Sequence, residues 1–510
     1  MAKFTLVGCR IARISPGRRG VHGSGQGRIG DMNGPRGDGV YDAVVIGSGP
    51  NGLAAAIELA RNGRSVIILE AEDTIGGGTR SAELTLPGYV NDVGSAIHPL
   101  GYGSPFFSTL PLEEHGLEWV HPPAPLAHPF DDGTAAVLER PVTETGKTLG
   151  PDADAYRKLM EPIARDWDRL VSSILGPPRL PGHPFTLARF GVHALRSARG
   201  LAESLFEGEK ARALFAGNAA HSFLPMEKAP SAAFGLVLGA LGHAVGWPFP
   251  KGGSQKLADA LVSYLRSLGG EVYTGIRIGS VEEVPRTRSV LFDVTPRQLL
   301  EIAGEHFTNH YRQALKRYRY GPGVFKMDFA LDGPIPWKAG ACRRAGTVHL
   351  GGTLKEISVG EAAVWRGEHP ERPFVLLAQQ SLFDHTRAPE GKHTVWAYCH
   401  VPNGSTFDMT ERIEDQIERF APGFKDLILA RSTMGTTDLE RANANLVGGD
   451  INGGVMDFRQ LFTRPVARLT PYSTPAKGLY LCSSSTPPGG GVHGMCGYFA
   501  ARAALATTLR

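Results

Sequence analysis

Three glycines and one acid carry the first chemistry available to this sequence. Gly47, Gly49 and Gly52 stand in G-x-G-x-x-G spacing around Pro50 and Asn51, and Glu70 follows eighteen residues after Gly52. Glycine at the first position permits a tight turn. At the second it lets backbone approach a pyrophosphate, and at the third it lets a helix press against a strand. A carboxylate at the distance of Glu70 accepts hydrogen bonds from a ribose diol and repels a 2′-phosphate. The chemistry is dinucleotide binding, with a 2′-phosphorylated nucleotide disfavoured.

Those residues work only if the elements around them are a strand, a helix and a second strand. Residues 43–46 form an apolar run too short for a helix and bounded by glycine, which reads as a buried parallel strand. Residues 53–61 have the apolar period of a helix, ended by Gly63. Its open N–H groups and dipole favour a phosphate charge. Residues 65–69 form a second apolar strand that carries Glu70 at its tip, next to Ala71.

The chain has 510 residues, enough for two or three domains, and is 42% hydrophobic and 20% charged, as in ordinary globular proteins. Its net charge is +4, and residues 1–40 alone hold seven Lys/Arg against two Asp. The rest is near neutral, which argues against nucleic acid as a partner. Residues 1–40 are read as a disordered basic extension. The five cysteines form no C-x-x-C pair, so neither a disulfide framework, a zinc site nor a redox-active pair is expected. No other metal-ligand spacing is visible. No apolar stretch of about eighteen residues is present to span a bilayer. A reducing compartment is expected: the cytoplasm, with peripheral membrane contact left open, or the mitochondrion in a eukaryote.

The run 70–81, EAEDTIGGGTRS, resembles the E-x-x-x-x-x-G-G extension of FAD enzymes of the amine oxidase and phytoene desaturase superfamily. Gly76 and Gly77 match its paired glycines. Gly78, Thr79 and Arg80 follow, with Gly78 where many members carry arginine. Three further segments resemble the same superfamily: Asp92–His98, the P-K-G-G motif at 250–253 with an amphipathic helix at 257–268, and a closing glycine-rich loop with Gly489, Gly491 and Gly494 in G-x-G-x-x-G spacing. The resemblance implies FAD as cofactor. It extends the binding set to Ile278, whose backbone meets adenine in the family, and to Gly490, Gly491, Val492 and Gly494 beside the isoalloxazine. The chain looks like the phytoene-desaturase-like branch that includes pyridine nucleotide-disulfide oxidoreductase domain-containing protein two, although the cysteines for disulfide chemistry are missing.

The implied fold class is α/β: a glutathione-reductase-like, Rossmann-type FAD-binding domain with a discontinuous α+β substrate domain. The expected division gives 41–107, 247–296 and 441–510 to FAD, and 108–246 and 297–440 to substrate. Residues 281–288 are short where relatives insert three meander strands, so a truncated meander is expected, with no second nucleotide domain. Helices are expected at 152–175, 201–220, 231–246 and 408–420, and strands at 321–331, 374–379 and 393–400. A basic, aromatic helix at 305–320 reads as a solvated face or as a membrane-docking one.

Two residues stand out for catalysis. Lys326 lies on a strand that resembles the one on which amine oxidases carry a lysine near the flavin, where it assists reoxidation or acts as a base. His493 lies in the implied flavin loop as an acid/base candidate. His98 reads as a structural histidine. The leading expectation is FAD-dependent dehydrogenation (desaturation) of an apolar, isoprenoid or polyene substrate, with electrons passed to oxygen or quinone. The alternatives are an amine oxidase, for which Trp396 and Tyr398 would form an aromatic cage, and a flavin-bound regulatory protein with little turnover. The expected partner is a hydrophobic small molecule, with a second copy of the chain left open.

Overall fold

Two sheets organise the molecule. The computed structural model describes residues 40–510; the extension expected at 1–40 lies outside them except for Val40. The first sheet is wholly parallel, in the order Leu479–Leu481, Thr287–Phe292, Tyr41–Ile46, Val66–Leu69, Glu271–Tyr273. Successive residues of its central strand point to opposite faces. Ala43 and Val45 face a core built with the helices Pro50–Arg61, Gln255–Ser267 and Met495–Ala506; Val44 and Ile46 face another, which Tyr41 at the start of the strand also touches. Burial on both faces explains why these strands are continuous apolar runs.

The second core corrects the expected boundary at residue 296. Leu299 and Ala303 of the helix Pro296–Ala303, Tyr311 and Leu315 of the helix Asn309–Lys316, and Phe307 between them all pack under the parallel sheet. This stretch therefore covers the nucleotide sheet. The helix expected over 305–320 shrinks to Asn309–Lys316, starting where Thr308 accepts from the Tyr311 N–H. Tyr311 and Tyr318 are buried, so the exposed charges of Lys316 and Arg317 have no exposed aromatic ring between them.

The second sheet has seven strands, in the order Ile428–Met434, Gly323–Leu331, His393–Val401, Val375–Ala378, Ala345–Leu350, Ala124–Pro129, Ala135–Leu138. All its pairings are antiparallel except Ala345–Leu350 with Ala124–Pro129. One face packs on the helix Thr410–Phe420. The other meets a helical layer that includes Glu209–Ala220 and Ser231–Ala244.

Two expected long helices are broken. Residues 152–175 divide at Asp166 into Ala153–Arg165 and Trp167–Ile174, after a proline at 162 inside the first. Residues 201–220 divide at 206–208, where the Asp152 carboxylate accepts the N–H groups of Glu207 (2.8 Å) and Gly208 (2.7 Å). Between Tyr273 and Thr287 there is only a short 3-10 turn, Val281–Glu283.

Candidate active site

The first strand ends at Gly47, whose φ of +100° turns the chain into the helix at Pro50. A Cβ on Gly52 would lie 2.1 Å from the Gly47 carbonyl oxygen. Helix and strand end are thus in direct contact, and only glycine fits. Glu70 is buried beside them. One of its oxygens accepts from the Ser48 N–H (2.8 Å) and Ser48 hydroxyl (2.6 Å), and the other from the Glu72 N–H (2.9 Å).

Gly47, Gly49, Pro50, Asn51, Glu70, Ala71, Gly77, Gly78, Arg80 and Ile278 line one end of a single large cavity, and Gly491 and Val492 also line it. Other residues of the predicted set stand behind the wall. Gly52 donates its N–H to Asp293, and Gly76 turns beside Ala258. The Thr79 hydroxyl donates to the Gly76 carbonyl (2.8 Å), Gly490 abuts Asn452, and Gly494 begins the last helix against Phe107. These residues shape the loops without facing the cavity.

His493 needs the same correction. Its ring is fully buried and does not line the cavity; its Nδ1 accepts the Met495 N–H (3.0 Å) at the start of the last helix. Burial lowers its pKa to about 4. The ring holds the loop from behind, so the expected acid/base role gives way to a positioning one.

Lys326 does line the cavity. It is buried on the strand Gly323–Leu331 and forms an ion pair with Asp328, two residues along the same face. Burial raises the Asp328 carboxyl to about 6 despite that partner. The next strand sets Tyr398 opposite Lys326 and Trp396 opposite Asp328. Their rings meet edge to face at 5.1 Å, and the Trp396 Nε1–H donates to the Gly94 carbonyl (3.0 Å). Phe223, Leu238, Trp247 and Leu376 complete this apolar end. His98 lines the cavity too; its Nε2 meets the Ser254 hydroxyl at 2.8 Å, its Nδ1 has no partner, and burial lowers its pKa to about 4.

Three features had no signal in sequence spacing. Asp293 ends the strand Thr287–Phe292 and points its carboxylate into the glycine turn: it accepts the Gly52 N–H at 3.0 Å, and burial raises its pKa to about 7. His221 lines the apolar end, and its Nε2 lies 3.1 Å from that of His349. His128 and His349 each turn an unpartnered Nδ1 toward Gly217. Burial lowers all three, His221 to about 3 and His128 to about 4, so they are neutral imidazoles. Arg464, also buried, donates to the carbonyls of Gly453 (2.7 Å) and Ser484 (2.8 Å), fixing two loops of the cavity wall. No group of three or more His, Cys, Asp or Glu is arranged to hold a metal among the described residues.

The cavity has the chemistry an FAD needs. Glycine backbone and a helix start lie at one end, and unpartnered buried polar atoms of Asn51 and Asn452 lie along the wall. Residues 51–300 match the family model of flavin containing amine oxidoreductases. The chain is 28% identical to pyridine nucleotide-disulfide oxidoreductase domain-containing protein 2 of Rattus norvegicus, over 90% of this chain and 92% of that protein. It is 24% identical to the neurosporene-forming phytoene desaturase of Rhodobacter capsulatus, over 90% and 93%. The chain is an FAD-dependent oxidoreductase, similar in sequence to flavin containing amine oxidoreductases and to phytoene desaturases. Its fold is similar to that of cyclohexylamine oxidase from Brevibacterium oxydans, with a TM-score of 0.59 at 15% identity over 92% of this chain and all of that one. The four cysteines of this flavoenzyme within the described residues, Cys342, Cys399, Cys482 and Cys496, are buried and unbridged.

Proposed function

We propose that this flavoenzyme dehydrogenates an apolar substrate of isoprenoid or polyene type and passes the electrons to oxygen or a quinone. The observation that carries the reading is the distribution of charge along the cavity. Its lining carboxylates, Glu70, Glu72 and Asp293, all belong to the glycine end. The opposite end presents mainly aromatic and aliphatic side chains with the neutral imidazole of His221, and its cation, Lys326, is already paired with Asp328. An ammonium substrate would find no free counter-charge there, whereas an apolar chain loses nothing by entering.

Bound FAD supplies the hydride acceptor. The chain supplies orientation. Trp396 and Tyr398 form a flat-and-edge surface for a conjugated chain. His98 and His221 stand at the wall as neutral imidazoles, suited to hydrogen bonding and not to taking up a proton. Lys326, held by Asp328, lines the cavity and with FAD bound would set an ammonium beside it, where it would assist reaction with oxygen.

One feature favours a second reading. The perpendicular Trp396–Tyr398 pair can also hold a cation over its ring faces, as an amine oxidase requires. An anaerobic challenge of the purified flavoenzyme separates the two. Loss of flavin absorbance with polyenes and not with amines supports desaturation, and the reverse assigns amine oxidation. Bound flavin that no panel member bleaches would instead favour a regulatory role.

A further inference from the structure

The helix Pro184–Ala194 is apolar on both sides. Its inner side, with Phe190 and Ala194, packs in the main core over the helix Ser231–Ala244, whose Leu238 lines the cavity. Its outer side carries Phe185 and Val192, one face of the helix two turns apart, at 90% and 69% exposure. Leu180 before it (96%) and Leu195 after it (55%) extend the same surface. A helix apolar all round is normally covered on all sides. Four large apolar side chains on about sixteen successive residues exceed the scattered exposure of ordinary surfaces.

The segment 169–202 that carries this surface contains five arginines, two histidines and no Asp or Glu. Arg169 and Arg189 are met by Asp166, and Arg199 by Glu203 and Glu227. Arg179 and Arg196 donate only to neutral acceptors, at Ser172, Gly200 and Ser204. Exposed apolar groups framed by unneutralised arginines are complementary to a layer that is apolar within and negative at its surface.

We propose that the helix Pro184–Ala194 and the loop before it dock this flavoenzyme onto a bilayer containing anionic lipid. The surface replaces the basic helix at 305–320 as the docking element, because the rings of Tyr311 and Tyr318 are buried there. It stands independently of the substrate reading.

The test is flotation of the FAD-loaded full chain with phosphatidylcholine vesicles, with and without phosphatidylglycerol. The chain is expected to float with the anionic vesicles, and less at high salt. A Phe185→Ser/Val192→Ser variant that keeps its flavin spectrum should lose about tenfold in bound fraction. A Lys316→Gln/Arg317→Gln variant should float as the parent does. The proposal is overturned if the parent does not float, if the first variant floats equally well, or if the second alone loses binding. It is also overturned if the parent is a dimer by light scattering and the first variant a monomer, which would make a second copy the occupant.

Discussion

At the scale of residues, the cavity depends on a few buried charges. Asp293 is the most informative. Its carboxyl is raised to about 7 by burial, above the usual value of about 4 in an unfolded chain. The folded chain therefore holds an extra proton between those limits, and stability is lost as pH rises from about 4 through about 7. Asp293→Asn keeps an oxygen for the Gly52 N–H and removes the charge. Thermal melts should show the variant more stable than the parent by a few kcal/mol above about pH 7, with the gap closing toward about pH 4. Lys326 makes the opposite case. Lys326→Met leaves Asp328 buried without its partner, at a cost of about 3–5 kcal/mol, and Lys326→Met/Asp328→Asn should recover most of it. In the double variant, photochemically reduced flavin should reoxidise in air at least about tenfold more slowly by stopped flow; an unchanged rate would remove the lysine from oxygen chemistry. The lysine was legible because strand alternation and a family strand both marked it. Asp293 was not, since its partner Gly52 is 241 residues away and no local pattern distinguishes it from a turn acid. His493 lay in the right loop, but spacing says nothing about which way a ring turns.

At the scale of elements, the helices are positioned by contacts that substitution can probe. Gly217 sits in the helix Glu209–Ala220, where alanine would normally stabilise by about 1 kcal/mol. Here a Cβ would lie 2.8 Å from His349 Nδ1 and 3.3 Å from His128 Nδ1. Gly217→Ala should instead destabilise by about 1–3 kcal/mol in denaturant melts. Arg387 is buried and binds Asp92 and Asp384, both at 3.1 Å. Those two acids in turn accept the N–H groups of Ser254 (2.8 Å) and Gly252 (2.7 Å), which holds the P-K-G-G turn against Asp92. Arg387→Met should cost about 3–5 kcal/mol and loosen flavin retention, measured as free FAD released on gel filtration. Apolar period marked the strands Tyr41–Ile46, Val66–Leu69, Gly323–Leu331, Val375–Ala378 and His393–Val401, but not Ala124–Pro129, Ala135–Leu138, Ala345–Leu350 or Ile428–Met434, nor helices such as Pro184–Ala194 and Leu354–Trp365. It missed the breaks at Asp166 and at 206–208, because the latter is held by Asp152, a carboxylate from another element.

At the scale of the whole molecule, the parallel sheet is assembled from segments at both ends and the middle of the chain. A chain ended before Leu479 lacks one edge strand and the helix that packs on Pro50–Arg61. It should purify without flavin absorbance, if it folds at all. The nucleotide sheet was readable in part because the glycine loops at 47–52 and 489–494 follow its strands Tyr41–Ile46 and Leu479–Leu481. The covering helices Pro296–Ala303 and Asn309–Lys316 were misassigned because amphipathic helices do not name the sheet they cover. The order of strands carries one more consequence. The chain passes between the two sheets four times, and the buried Arg387 cluster joins Asp92 to Asp384 across that junction. Opening the molecule like a book would have to bend four connections and strip a guanidinium of both its carboxylates at once. A hinge would therefore cost this enzyme the Arg387 ion pairs with Asp92 and Asp384, so movement of side chains and loops is the cheaper way to open the cavity.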